Sequence, residues 1–125
     1  MPHIIILQRA KENGVKYLFE ASVGGGIPII RPLGQCLAAN EIDSITAILN
    51  GTTNYILSMM TREKIGFDEA LEQAKINGYA EPDPSADIEG LDACRKIAIL
   101  SSIAYGQFVD YRRIYKEGIT RITAT

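Results

Sequence analysis

"GYAEPDPSADIEGLDACRK", Gly78 to Lys96, gathers Glu81, Asp83, Asp87, Glu89 and Asp92 in a short span, interrupts them with Pro82 and Pro84, and ends on Arg95 and Lys96. Prolines among small and acidic residues predict a loop, since proline neither donates a hydrogen bond nor tolerates a helix interior. From about Asp87 the apolar spacing turns helical and runs through "IAILSSIA" to Tyr105, with Gly106 as the stop. On that helix Ile88, Asp92, Lys96, Ile99 and Ile103 share one face, and Asp92 and Lys96 stand one turn apart, within reach of each other. The stretch beyond Lys96 is apolar in nearly every direction and is expected to be buried. A surface ion pair is the common outcome of such spacing and contributes little. A lysine among apolar residues is rare unless paired, however, and its pKa shifts readily. The pair therefore carries two readings, a surface salt bridge or a functional site.

Upstream, Ile4 to Glu12 reads as a helix closed by Asn13-Gly14, and "VKYLFEASV" (15–23) reads as a strand. Gly24-Gly25-Gly26 ends the strand, and a helix is expected from Pro32 through "LGQCLAAN", with proline in its first turn. "DSITAIL" (43–49) reads as a second strand, followed by the turn "NGTTN" with a capping Asn or Thr. Helices over "YILSMMTREK" and "DEALEQAKI" follow, the latter with Asp68 as its cap and Asn77-Gly78 as its end. "FVDYRRIYKEGITRIT" is a weaker mixture of turn and short strand. The fold class is α+β: helix-rich, with a small sheet. Two strands make no stable sheet alone in water. Either the helices cover them or their partners belong to sequence outside this chain.

At 125 residues the chain is at most one domain, large enough for a real core. Its net charge of −2 argues against a nucleic-acid-binding surface. No stretch approaches the length of a bilayer span, and "MPHIIILQRA" lacks the basic lead-in of a signal peptide. Cys36 and Cys94 have no metal or disulfide spacing, which suits a reducing cytoplasm, and the lone His3 leaves little material for zinc or Ser-His chemistry.

Two glycine turns carry weaker signals. "VGGGIP" is strand, glycines, helix, a geometry able to present amides to an anion, although close backbone packing explains it equally well. "NGTTN" places hydroxyls at a helix start, suited to a carboxylate, a phosphate or simple capping. The acidic loop breaks the register that calcium binding requires.

"FEASVGGGIPIIRPL", "ILNGTTNYIL", "GYAEPDPSADIEGLDACRKIAIL" and "EGITRIT" together resemble the central part of homoserine dehydrogenases, in the family's order and near its spacing. That family reduces aspartate 4-semialdehyde to homoserine with NADP- or NAD-type cofactors, toward threonine, isoleucine and methionine. The resemblance implies residues 1–23 as a remnant of the dinucleotide-binding domain's closing unit, and 24–125 as a truncated substrate-binding, catalytic and dimerisation domain. The family's Gly-rich dinucleotide fingerprint is absent from this sequence, so most of the cofactor site would lie elsewhere. By the same resemblance Lys96 is the proton donor, and Glu81 and Asp92 bind substrate with support from Asp87. Gly51, Thr52 and Tyr79 line the substrate, and Gly78 lies beside the nicotinamide. The glycine turn becomes a sodium or potassium site formed by Glu20, Val23, Gly25 and Ile27, replacing the anion reading. A homodimer or higher homo-oligomer is implied. The rival reading is a non-catalytic α+β dimerisation module that retains the scaffold.

Overall fold

The computed structural model describes residues 6, 9–37 and 39–123. His3, the expected helix start at Ile4 and residue 38 of "LGQCLAAN" lie outside the described residues. Residues 9–12 are helical and close at Asn13-Gly14, where the Asn13 N–H donates to the Arg9 carbonyl at 3.1 Å and Gly14 takes φ +64°. That end is where the sequence places it.

Among the described residues there is no strand. Residues 15–20 and 41–50 run as irregular backbone, so the small sheet is not part of this fold. A strand exists only when paired, and neither run meets a partner among the described residues; Leu18 and Ile48 are each 79 % exposed. The segment "FVDYRRIYKEGITRIT" likewise holds only a short 3₁₀ turn, Tyr111–Arg113. The expected helix after the glycine turn is reduced to one π-helical turn, Pro32–Cys36.

Among the described residues the rest is built from the α-helices α1, Gly51–Glu63; α2, Phe67–Ile76; α3, Ser85–Ile88; and α4, Leu91–Ala104. Helix α1 starts on Asn50, whose side-chain oxygen accepts the Thr53 N–H at 2.8 Å. Helix α2 starts on Gly66 without a side-chain cap. Asp68, expected as that cap, instead lies in the first turn with Glu69, where carboxylates favour the positive end of the helix dipole. At the other end of α2 the Tyr79 N–H donates to Ala74 at 2.8 Å and the Gly78 N–H to Lys75 at 3.1 Å. This paired closure needs a left-handed residue, and Gly78 supplies φ +75°.

The single helix expected over 87–105 is two. Gly90, at φ +77°, breaks it between α3 and α4. A later segment fits into the break: the Ile119 N–H donates to the Ile88 carbonyl at 2.8 Å. A Cβ on Gly118 would sit 2.8 Å from that same carbonyl oxygen, so glycine is required for the approach.

Two apolar clusters form the core. Ile56, Met59 and Met60 of α1 pack on Ala70 and Ala74 of α2, joined by Ile88 and Ile119. Val23, Leu33 and Leu100 make the second, with Ile45, Leu49, Ile99 and Ile103 against them. Residues 49–50 link the two, since Leu49 packs in the second cluster and Asn50 opens α1 in the first. No described helix is long and apolar enough to cross a membrane.

Candidate functional site

Lys96 lies one turn after Asp92 on α4, and the fold closes a polar cluster around the pair. Its ammonium donates to Asp92 Oδ2 at 2.6 Å and to the Leu49 carbonyl at 3.0 Å. The Lys96 and Asp92 side chains are 25 % and 30 % exposed, so the pair is sheltered yet open to a ligand. Asn50, only 7 % exposed, donates from Nδ2 to Asp87 Oδ1 at 2.7 Å and to Asp92 Oδ2 at 2.8 Å. Two carboxylates, a lysine and an amide thus form one hydrogen-bonded group spanning α1, α3 and α4. Asp87, Asp92 and Lys96 are among the residues expected at the site from the sequence, where Asn50 stands only as a candidate helix cap. Nothing local in the sequence joins Asn50 to partners so far along the chain, although a cap residue just ahead of a buried helix is a position from which such links arise.

Burial pushes the Asp92 carboxyl up, but hydrogen bonds from Lys96 and Asn50 and the charges of Lys96 and Arg95 outweigh it. The group lies below its usual range and is ionised at neutral pH. Arg95, the other cation that ends the acidic stretch, places its guanidinium 5.5 Å from the centre of the Tyr111 ring.

A second group of expected residues meets where α1 begins and α2 ends. The Thr52 hydroxyl donates to the Tyr79 carbonyl at 2.8 Å, tying the α1 start to the residue after Gly78. The Tyr79 ring stacks on Tyr55 at 4.1 Å, and Asn77 Nδ2 donates to the Tyr55 hydroxyl at 3.1 Å. A Cβ on Gly51 or Gly78 would meet nothing within 4 Å, so both backbones face open space. Glu81 is exposed in the loop between α2 and α3, ahead of the short helix that carries Asp87.

The glycine turn is organised by Glu20. One carboxylate oxygen accepts the N–H groups of Ile29 and Ile30, at 3.2 and 3.0 Å, and the other accepts that of Arg31 at 3.0 Å. Those bonds, led by the one from Arg31, hold its pKa below the usual value. Gly24 and Gly25 take φ of +85° and +57°, and the Ile27 N–H donates back to Gly24 at 3.0 Å. Val23 is buried, whereas Gly25 and Ile27 are exposed. The amides at this helix start are therefore already met by a carboxylate of the chain itself, which removes the anion reading of the turn. Among the described residues, no three His, Cys, Asp or Glu side chains gather as a metal cluster would. Cys36 and Cys94 are both free thiols.

The homoserine dehydrogenase family model matches residues 28–125. The homoserine dehydrogenase of Synechocystis sp. is 56 % identical over 119 residues, covering 95 % of this chain and 28 % of its own length. That of Methanocaldococcus jannaschii is 49 % identical over 118 residues, 94 % of this chain and 35 % of its own. The crystal structure of the Thiobacillus denitrificans homoserine dehydrogenase superposes with a TM-score of 0.90 at 48 % identity, covering 94 % of this chain and 27 % of that one. A hyperthermophilic archaeal homoserine dehydrogenase in complex with NADPH superposes at 0.83 with 36 % identity, covering 94 % of this chain and 36 % of that one. The chain therefore spans about a quarter to a third of the length of these relatives.

Proposed function

The chain belongs to the homoserine dehydrogenase family, and we propose that it supplies the substrate-binding and proton-transfer part of that enzyme's reaction. The reaction is the interconversion of aspartate 4-semialdehyde and homoserine. The observation that carries this reading is the anchored lysine: an ammonium held by Asp92 and the Leu49 carbonyl, half-buried but accessible. A dimerisation scaffold without chemistry has no need of such a group.

When bound, the nicotinamide cofactor supplies hydride to the aldehyde carbon; the open backbone at Gly78 suits close approach of its ring. As the carbonyl oxygen gains negative charge, the Lys96 ammonium hydrogen-bonds to it and then protonates it. Ionised Asp92 keeps Lys96 oriented and binds the substrate's hydroxyl or amine, with Asp87 in support. Exposed Glu81 pairs with the substrate's α-ammonium. Gly51, Thr52 and Tyr79 border the far end of the substrate. The carbonyls of Val23, Gly25 and Ile27, with Glu20 alongside, are hard oxygen donors suited to sodium or potassium. A carboxylate offers about four lone-pair sites, so Glu20 retains capacity beyond its three N–H partners. Assembly as a homodimer or higher homo-oligomer would pair the unpartnered runs at 15–20 and 41–50 with another chain.

Steady-state kinetics on a full-length enzyme carrying these residues tests the assignment. Lys96→Ala removes an interaction that strengthens in the transition state, so kcat is expected to fall by roughly a hundredfold to ten-thousandfold. Glu81→Ala removes a contact made in ground and transition states alike, so KM is expected to rise. Near-normal kcat in Lys96→Ala, with activity abolished in Glu81→Ala, would return the lysine to a structural ion pair.

A further inference from the structure

We propose that Asn50 is a positioning residue for proton transfer: its buried amide ties Asp87 to Asp92 and thereby fixes the direction in which Lys96 presents its ammonium. The inference rests on Lys96 as the proton donor and adds a residue to which the foregoing reading gives no part in the reaction.

An asparagine side chain offers two N–H donors and one carbonyl oxygen. Both donors of Asn50 are used, toward Asp87 Oδ1 at 2.7 Å and Asp92 Oδ2 at 2.8 Å, and the oxygen accepts the Thr53 N–H at 2.8 Å. The amide has one workable orientation. Turned over, its oxygen would face two carboxylates and its NH₂ would face an N–H. Two carboxylates of like charge repel, and the shared nitrogen is what draws them together across the break between α3 and α4.

Asp92 Oδ2 is the pivotal atom, because it receives both the Asn50 amide and the Lys96 ammonium, the latter at 2.6 Å. Where Asn50 places that oxygen, the lysine follows. The second anchor of Lys96 is the Leu49 carbonyl, the backbone group immediately before Asn50. Adjacent residues thus hold the two members of the ion pair, one through a main-chain oxygen and the other through a side-chain amide. An ammonium has three N–H groups. With two directed to Leu49 and Asp92, the direction of the third is set for the substrate's oxygen.

Asn50→Ser tests this in a full-length enzyme carrying these residues, with Lys96→Ala assayed in parallel. Serine caps a helix about as well as asparagine but is too short to bridge the two carboxylates. A misplacement of about 1 Å at a reacting group costs about a hundredfold in rate. The expected result is a fall in kcat of about tenfold to a hundredfold that exceeds any rise in KM, in a variant that still unfolds cooperatively. Should Asn50→Ser lower the folded fraction, Asn50→Thr replaces it, since threonine also caps a helix, fills more of the space and is too short to bridge the two carboxylates; the same loss of kcat is expected. Parental kcat in a folded Asn50 variant, alongside collapse in Lys96→Ala, overturns the role of Asn50 alone. Retained turnover in Lys96→Ala overturns the proton-donor reading and this inference with it.

Discussion

At Asp92 opposing effects meet within one side chain. Desolvation raises its pKa, and the donors Lys96 and Asn50, with the nearby positive charges, lower it further than desolvation raises it. The folded state therefore holds this carboxyl below its unfolded value, and on acidification the unfolded chain takes up the proton first. The stability it contributes is complete above the unfolded pKa and is lost as pH falls through the folded one. Glu20, Asp83 and Asp110 are lowered as well and act in the same direction. Thermal midpoints across the acid range should decline as pH drops, and Asp92→Asn should remove part of that decline. Identical slopes for both proteins would contradict the assignment. The Asp92–Lys96 pair was readable in the sequence because helical spacing is local. Asn50 was read only as a cap, because its carboxylate partners lie 37 and 42 residues ahead. Glu20 is similar: its N–H partners lie nine to eleven residues on, beyond any local pattern.

Among the elements, the break at Gly90 decides the geometry of the site, since it lets Asp87 on α3 turn toward Asp92 on α4. The sequence shows a continuous helical pattern there, and glycine alone does not end a helix. What ends it is non-local: Glu117 to Ile119 dock into the gap, with a Gly90 Cβ expected 3.0 Å from the Glu117 carbonyl oxygen. Gly90→Ala should cost about 1–2 kcal/mol from the left-handed backbone alone. The crowding against Glu117 adds to that, and denaturant unfolding measures the sum. An unchanged unfolding midpoint would mean that the break is not held by this contact. Helices α1 and α2 were legible because their amphipathic period and their Asn-Gly punctuation are local signals. The strands failed for the opposite reason. Residues 15–20 and 43–49 carry β-forming side chains, but strand structure is a property of a pair, and the described residues hold no partner for either.

For the whole molecule, those unpaired runs have a consequence. Leu18, Ile48 and Tyr115 are each about four-fifths exposed, and Val15, Tyr17, Ile27 and Phe108 are exposed as well. Unpaired extended backbone with apolar side chains is a template for association. Sedimentation of the purified chain is expected to show self-association that grows with concentration; a monomer at high concentration would count against it. The role proposed for Lys96 is to give up a proton rather than merely to supply charge. Its most direct test is kcat for Lys96→Arg beside Lys96→Ala in a full-length enzyme carrying these residues. Guanidinium keeps its proton at any working pH, so arginine preserves the charge without the donation. The expected result is that arginine restores little of the turnover lost in the alanine variant. Recovery of near-parental kcat by Lys96→Arg would contradict the claim and leave the lysine an electrostatic stabiliser only.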